Sequence, residues 1–158
     1  MENRDGILQL DDLSLVKLCD LEFTKGTGNG GQKRNKTSSA VRLRHRETGL
    51  TAEDCSERSQ HRNRAIALRK LRLQIALNVR NSPPLPLPRT ECAVDHADYP
   101  LWMARVLDLL CEHGGDHRPA AEVLQCSATS LAKKIQRDPQ LLQAVNAMRK
   151  ANNIPPLR

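Results

Sequence analysis

Residues 26–36 read Gly26-Thr27-Gly28-Asn29-Gly30-Gly31-Gln32-Lys33-Arg34-Asn35-Lys36, and the rest of the chain is best interpreted around this stretch. Four glycines fall within six residues, three cations follow within four positions, and no carboxylate is present. Glycine lets a backbone approach a partner closely, while lysine and arginine attract phosphate-rich partners. The stretch therefore predicts a loop that meets a polyanion.

Alternating apolar and polar residues on both sides of this loop predict a small sheet. Residues 21–24 lead into the loop, residues 40–45 leave it, and residues 47–49 predict a turn into a returning strand over residues 50–55. In the strand after the loop, Val41 and Leu43 are expected to face the core, and Arg42 and Arg44 the solvent.

Helices are expected on either side of these strands. Asp11 or Asp12 can cap a short helix that ends near Cys19, with Leu13, Leu15, Val16 and Leu18 giving it an apolar side. A long helix is predicted from Ser59, its N-cap, to Asn78. Its apolar stripe consists of Leu68, Leu71, Ile75 and Val79, and its arginines are expected to face outward.

Four prolines within residues 83–88 end that helix and predict a stiff spacer. Beyond it, helices are predicted over residues 100–111 and 118–124, from Ser127, which can cap its helix, and from Asp138-Pro139. The fold class is therefore α+β: a small mixed or antiparallel sheet with packed helices, followed by an all-α unit. We expect a catalytic domain over residues 1–80, a linker over 81–98 and a helical unit over 99–158.

The composition narrows the classes of partner. Hydrophobic residues make up 39% of the chain, but only three residues are aromatic, so binding by base stacking on aromatic side chains is not expected. The net charge of +7 is uneven: residues 127–158 hold six Lys and Arg against one Asp. A basic surface fits a polyanion partner, although a solvated surface with no partner has the same composition.

Cysteine usage and the N-terminus indicate a cytoplasmic protein. The five cysteines are widely spaced and never form Cys-x-x-Cys, so we expect buried thiols, no disulfide framework and no metal site. Residues 1–6 lack the pattern of a signal peptide, and no apolar run reaches the length of a membrane span. We expect no membrane partner, no cofactor and a monomer.

The glycine pattern partly matches two nucleotide-binding motifs. Gly26-x-Gly28-x-x-Gly31 satisfies the dinucleotide fingerprint, but the residues after it are polar and then alternate, where the fingerprint requires a helix. A Walker loop requires Lys and then Ser or Thr after its last glycine, and Gln32 stands there instead. Neither motif fits.

The loop instead resembles the Gly-Gly-Gln signature of class I peptide-chain release factors and the related ribosome-rescue peptidyl-tRNA hydrolases. The matching residues are Gly28-x-Gly30-Gly31-Gln32-x-x-Asn35, and the block over residues 58–63 resembles the Arg-Ser-Gln segment of the same domain. The resemblance covers about residues 7–79. It departs from the family at Lys33 and Arg34, where His and Val are common.

The resemblance implies hydrolysis of the ester between a nascent peptide and P-site tRNA, with Gly30, Gly31 and Gln32 as the catalytic triplet. An amide does not titrate usefully, so Gln32 can only position groups by hydrogen bonding, and acid and base must come from the ribosome and tRNA. Contacts with large-subunit ribosomal RNA, or support of the loop, are expected from Gly28, Lys33, Arg34, Asn35, Lys36, Arg58, Ser59, Gln60, Arg62 and Arg64. A Cys/His hydrolase lacks any supporting spacing.

The C-terminal part carries a second resemblance. Residues 120–127, followed by 131–135, resemble the helix-turn-helix of Fis-type DNA-binding domains, although such hairpins also occur as plain packing units. Nucleic-acid contacts are predicted for Lys133, Lys134, Arg137, Arg149 and Lys150.

The predicted function is codon-independent release of peptides from stalled ribosomes. Two alternatives stay open: a non-catalytic nucleic-acid-binding protein that uses the helix-turn-helix, and a release factor that depends on a stop codon.

Overall fold

The computed structural model describes residues 3–24, 40–82, 85–87 and 91–158. These residues form a three-stranded antiparallel sheet and seven helices, which confirms the predicted α+β class. In chain order the elements are α1 (Arg4–Gln9), α2 (Asp12–Lys17), β1 (Cys19–Thr24), β2 (Ala40–His45), β3 (Thr51–Asp54), α3 (Gln60–Asn78), α4 (Tyr99–Glu112), α5 (His117–Val123), α6 (Ala128–Gln136) and α7 (Pro139–Ala151). The chain divides into two compact units, residues 1–75 and 76–158.

The sheet has the order β1-β2-β3, and its register is set by the alternation in β2. Val41 and Leu43 are fully buried, whereas Arg42 and Arg44 are exposed, as their sequence pattern predicts. On the outer face Arg42 lies between Glu22 of β1 and Glu53 of β3. Opposite charges at cross-strand positions favour this register over a shifted one.

The first unit packs α3 against the other elements through one face. Asn63, Ala67, Leu68, Leu71 and Ile75 are buried, and this spacing places them along one side of the helix. The predicted stripe is thus confirmed up to Ile75, whereas Val79 is half-buried and lies beyond the end of α3.

Arg72 of α3 does not face outward as expected. Its guanidinium is half-buried and donates to Asp12 Oδ1 at 2.7 Å and to the Leu10 carbonyl at 2.8 Å. The second of these bonds satisfies a backbone carbonyl between α1 and α2, so this arginine ties α3 to that corner of the unit.

The N-terminal segment contains a helix that the sequence pattern did not predict. Asn3 caps α1 by accepting from the Asp5 N–H, and Ile7 and Leu8 bury its apolar side. In α2 the cap on Asp11 is confirmed, because its carboxylate accepts from the Ser14 N–H at 2.8 Å. The expectation for Leu13 was wrong: this side chain is 72% exposed.

The second unit is built around α4, which is buried over most of its circumference. Tyr99 and Trp102 stack with ring centroids 5.7 Å apart, and Leu107 and Leu110 are fully buried. The Tyr99 hydroxyl donates to Asp138 Oδ2 at 2.9 Å. The other carboxylate oxygen of Asp138 accepts from two backbone N–H groups at the start of α7, so Asp138 caps this helix. The predicted start of the helix at Asp138-Pro139 is confirmed.

The helices α5 and α6 form the predicted helical hairpin. Ala120 and Ala121 are buried, which lets the two helices approach each other, and Ser127 caps α6 by accepting from the Ser130 N–H. Gln125 in the turn adopts a left-handed conformation with φ of 51°. The hairpin's role in nucleic-acid binding stays a prediction.

A close approach between α7 and the turn after α4 requires glycine. Gly115 has a φ of 85°, and a Cβ at this position would lie 3.0 Å from the Arg149 backbone nitrogen. Any larger residue would therefore strain its own backbone and push α7 away.

The cysteines and helix lengths bear on two further expectations. None of the five cysteines forms a disulfide, but only Cys19 and Cys92 are buried and Cys111 is exposed, so the expectation of buried thiols was wrong for Cys111.

Within the described ranges, no helix combines the length and apolar character needed to cross a membrane. The predicted boundaries at residues 80 and 98 stay a prediction; along the chain, the division between the two compact units falls within α3.

Candidate functional site

The ends of the glycine-rich segment are fixed by the sheet. Residues 25–39 connect β1 to β2, and the last pair of the ladder joins Thr24 to Ala40. Both ends of the segment are therefore attached at the same end of the sheet. The predicted site residues Gly28, Gly30, Gly31, Gln32, Lys33, Arg34, Asn35 and Lys36 lie outside the described residues.

The remaining predicted residues of this site lie where β3 passes into α3. We call residues 55–59 the β3–α3 turn. Asn63 is fully buried beneath it, and its side-chain oxygen accepts from the Glu57 N–H at 2.8 Å while its amide nitrogen donates to the Glu57 carbonyl at 2.9 Å. Each backbone group of Glu57 has one possible role, so the orientation of the Asn63 amide is unambiguous.

A buried carboxylate fixes the beginning of the same turn. Asp54 accepts from the Lys70 ammonium at 2.7 Å and from the Ser56 hydroxyl and N–H at 2.7 and 3.1 Å. Burial raises the pKa of Asp54, but the hydrogen bonds from Lys70 and Ser56 together outweigh burial and hold the pKa below its ordinary value. The carboxylate therefore stays charged and keeps the turn attached to α3.

The predicted contact residues are displayed on this framework. Arg58, Ser59, Gln60 and Arg62 are exposed, and Arg64 is half-buried. The Ser59 hydroxyl accepts from the Arg62 N–H at 3.4 Å and its carbonyl accepts from the Asn63 N–H, as expected of an N-cap. Arg62 also forms an exposed ion pair of 3.5 Å with Glu57, which contributes little to stability.

A small cleft links the first turn of α3 to β1. It has a volume of about 190 Å³ and is lined by Phe23, Gln60, His61 and Arg64. Phe23 lies opposite the buried Val41 in the sheet, yet half of its surface is exposed. The cleft therefore brings two predicted contact residues, Gln60 and Arg64, next to the strand that leads into the glycine-rich segment.

The residues of this site lie within a range of the chain that is similar to a known protein family. Residues 15–84 match the model of the RF-1 domain. The match covers a little under half of the chain, 70 of its 158 residues. The matched range contains the Gly-Gly-Gln triplet, the β3–α3 turn and the buried amide of Asn63, so both sequence motifs lie within the range that is similar to the RF-1 domain.

Relatives of the RF-1 domain occur within longer proteins. The chain is 52% identical over 78 residues to peptide chain release factor 1 of Leptothrix cholodnii, covering 47% of the chain and 22% of that protein. It is 47% identical over 55 residues to peptide chain release factor 2 of Borreliella burgdorferi, covering 35% of the chain and 15% of that protein. The chain thus spans about a fifth of the length of the curated relatives that it matches.

The second set of predicted contacts lies in the second unit, beyond the RF-1 domain. Lys133, Arg137 and Lys150 are exposed, Lys134 is half-buried, and Arg137 pairs with Glu91 at 3.1 Å. Asp138 is the acidic residue of this segment, and it is buried under α4. The exposed charged side chains of residues 127–151 are therefore cationic.

Arg149 does not belong to the exposed cations of this surface. Its side chain is buried, its Nε donates to the Pro155 carbonyl at 2.7 Å, and its Nη1 donates to the Gly115 carbonyl at 2.9 Å. The same Nη1 lies 3.3 Å from His117 Nδ1. A guanidinium held in this way supports the fold and does not reach a phosphate, so the predicted contact at Arg149 was wrong.

Three residues at this site were given no role from the sequence, although His61 and Asn63 lie in the block over residues 58–63. Phe23 and His61 line the cleft, and neither strand alternation nor helical spacing distinguishes them from ordinary strand and helix residues. Asn63 does carry a signal: it lies four and eight residues before Ala67 and Leu71, on the buried face of α3. A polar residue at a core position needs hydrogen-bond partners, and this requirement points to a structural connection.

Proposed function

We propose that the chain hydrolyses the ester bond between a nascent peptide and tRNA on the ribosome. The observation that carries the proposal is the match of residues 15–84 to the RF-1 domain, with the Gly-Gly-Gln triplet intact. The relatives with this domain are named peptide chain release factors. The partners would be large-subunit ribosomal RNA and the peptidyl-tRNA in the P site.

In this proposal the domain positions groups and the ribosome supplies the rest of the site. The Gln32 backbone N–H would stabilise the negative charge that develops on the carbonyl oxygen, and its side chain would hold the attacking water. Gly30 and Gly31 would let this backbone approach RNA closely. Lys33, Arg34 and Lys36 would bind phosphates. Asn35 would support the loop, and Gly28 would contribute because glycine can adopt backbone conformations that other residues avoid.

The exposed cations of the described part support this assignment. Arg58 and Arg62 are displayed at the start of α3, and Arg64 lines the cleft next to β1. These side chains lie in the unit from which the glycine-rich segment emerges, so phosphate binding there would hold the triplet near its substrate. Ser59 and Gln60 lie between them and would contact RNA or support the loop.

The test of catalysis is peptide release from ribosomes that carry peptidyl-tRNA in the P site. We expect the wild-type chain to release the peptide and Gln32→Ala to do so roughly a hundredfold more slowly, by analogy with the loss of one group that stabilises a transition state. Ribosome binding by the variant should be unchanged. Equal release rates for the two proteins would rule out Gln32 as a catalytic residue.

We further propose that release does not require a stop codon and that the second unit directs the chain to stalled ribosomes. The cationic surface of α6 and α7, with Lys133, Lys134, Arg137 and Lys150, supports a targeting role. Release should be compared on ribosomes with a stop codon, a sense codon or no codon in the A site. Release that occurs only with a stop codon in the A site would instead favour the alternative of a stop-codon-dependent release factor.

A non-catalytic role in nucleic-acid binding is the second candidate, and the helical hairpin of α5 and α6 favours it. The hairpin has its Ser127 cap and presents Lys133 on its second helix. Under this alternative the chain would bind duplex DNA more tightly than ribosomes. Competition between labelled duplex and ribosomal subunits for the same chain distinguishes the two functions.

A further inference from the structure

The β3–α3 turn is fixed on both sides of Arg58. Glu57 precedes it, and both backbone groups of Glu57 are bound by the buried Asn63 side chain at 2.8 and 2.9 Å. Ser59 follows it, and its hydroxyl and carbonyl accept from N–H groups of the first turn of α3. Arg58 itself is exposed. Its side chain therefore projects from a backbone with restrained neighbours on either side.

We propose that Asn63 is a positioning residue that orients Arg58 toward a phosphate group of RNA. This inference rests on the proposed function, since it assigns a role within ribosome binding. A buried amide that satisfies one donor and one acceptor of the same residue restricts that residue more than a single bond does. Restraining the backbone in advance reduces the conformational entropy that Arg58 loses when it binds.

The position of Asn63 connects this turn to the core. Asn63 is followed on the same face of α3 by Ala67 and Leu71, both fully buried, so its Cα cannot shift without disturbing the packing. Asp54 attaches the beginning of the turn to Lys70, farther along the same helix. The turn is thus held to α3 at two points, and Arg58 lies after the second of them.

Removal of the amide should weaken binding and leave catalysis intact. In Asn63→Ala the Glu57 N–H and carbonyl lose this partner, and Arg58 has to be ordered at the moment of binding. We expect the Kd for ribosomal subunits to rise roughly five- to tenfold, about the value of one charge-assisted contact. The KM for peptide release should rise by a similar factor, while kcat stays unchanged.

A double-mutant cycle tests whether Asn63 acts through Arg58. The Kd for large ribosomal subunits is measured for the wild type, Arg58→Ala, Asn63→Ala and the double variant. We expect the double variant to bind no more weakly than Arg58→Ala. Losses that multiply in the double variant would overturn the inference, because Asn63 would then act independently of Arg58.

Two further variants separate positioning from general destabilisation. His45→Ala removes another buried polar side chain of the same unit, which lies 3.0 Å from the Thr48 hydroxyl, and it should lower the melting temperature without raising the Kd. If Asn63→Ala does not fold, Asn63→Asp serves in its place, since its carboxylate still accepts from Glu57 but cannot donate. A Kd raised equally by His45→Ala would overturn the inference.

The outcomes also distinguish this inference from the proposed function. A wild-type chain that releases peptide but shows independent effects of Arg58 and Asn63 retains the function and loses the inference. A wild-type chain that neither binds ribosomal subunits nor releases peptide loses both.

Discussion

The two basic regions of the chain look similar in sequence and differ in how the structure uses them. Arg58 is exposed on the β3–α3 turn, which buried side chains hold in place, and Arg62 is exposed in the first turn of α3. In α6 and α7, Lys133 and Lys150 are exposed on regular helices, whereas Arg149 is buried and satisfies backbone carbonyls. In the first region, the neutral Asn63 and the acidic Asp54 restrain the backbone of the turn. In the second region, one of the cations, Arg149, is itself the side chain that binds backbone carbonyls.

This difference shows that a basic residue in a basic segment does not necessarily belong to a binding surface. Arg149 and Lys150 are adjacent, yet one is buried and the other exposed. Adjacent positions on a helix face directions about 100° apart, so neighbours in sequence have different surroundings. A count of charges therefore identifies a basic segment, but the burial of each side chain decides whether that residue can belong to a binding surface.

The largest effect on stability should come from Arg149→Ala. The substitution removes bonds to the Pro155 and Gly115 carbonyls and should cost about 2–4 kcal/mol in the free energy of unfolding. Arg58→Ala should cost less than about 0.5 kcal/mol, since it lies on the surface. Chemical denaturation of both variants measures the contrast, and equal losses would contradict it.

A second experiment compares the two exposed sets as phosphate contacts. Arg58→Ala/Arg64→Ala and Lys133→Ala/Lys150→Ala each remove two cations. If each pair contacts phosphates, each variant should bind ribosomal subunits about tenfold more weakly, and the slope of log K against log salt should fall by about two. A variant with unchanged affinity and salt slope would exclude that region from the interface.

A smaller effect is expected when Tyr99 loses its hydroxyl. Tyr99→Phe leaves Asp138 Oδ2 without the 2.9 Å bond and should cost about 1–2 kcal/mol in the free energy of unfolding. Burial, followed by the neighbouring Asp138, raises the pKa of Tyr99 far above its ordinary value, so the hydroxyl remains a donor at all relevant pH. Thermal unfolding followed by circular dichroism measures the loss. No change in melting temperature would show that Asp138 finds another partner.

The smallest effect should be a pH dependence in the second unit. Burial lowers the pKa of His117, and the guanidinium of Arg149 lowers it further, against an opposing effect of Asp116. The folded state therefore favours neutral imidazole, so stability is fully present above the unfolded pKa of about 6.5 and falls as the pH drops below it. His117→Gln should reduce this dependence in melting experiments between pH 5 and 8. The same slope in the variant would assign the dependence to another group.

Much of the fold could be predicted because short-range signals and packing agreed. The strand Ala40–His45 alternates strictly, and Asp11, Ser127 and Asp138 are strong caps, so these elements appear where expected. The helix Arg4–Gln9 was missed because six residues are too few for a clear apolar period. Leu13 was assigned to the wrong side of α2 for the same reason, since Leu15 alone fills the buried position.

The candidate site was predicted in part, because motifs identify residues but not their surroundings. The exposure of Arg58 and Arg62 agrees with a binding role, which stays a proposal. The buried Arg149 donates to the carbonyls of Gly115, which is distant in sequence, and of Pro155, which lies beyond the end of α7. Long-range contacts of this kind leave no local pattern. A hydrogen-bonded role for Asn63 is easier to predict from the sequence, because a polar residue on the apolar face of a helix requires a partner. The structure shows that this partner is the backbone of Glu57.

The pairing of Thr24 with Ala40 limits where the length of the chain can change without disrupting the sheet. A slip of one residue between β1 and β2 would turn Arg42 and Arg44 into the core and expose Val41 and Leu43. Insertions or deletions between the two strands therefore cannot be absorbed by the sheet and must be accommodated within residues 25–39 themselves. A change in the length of that segment can thus occur without a change in the register of the two strands.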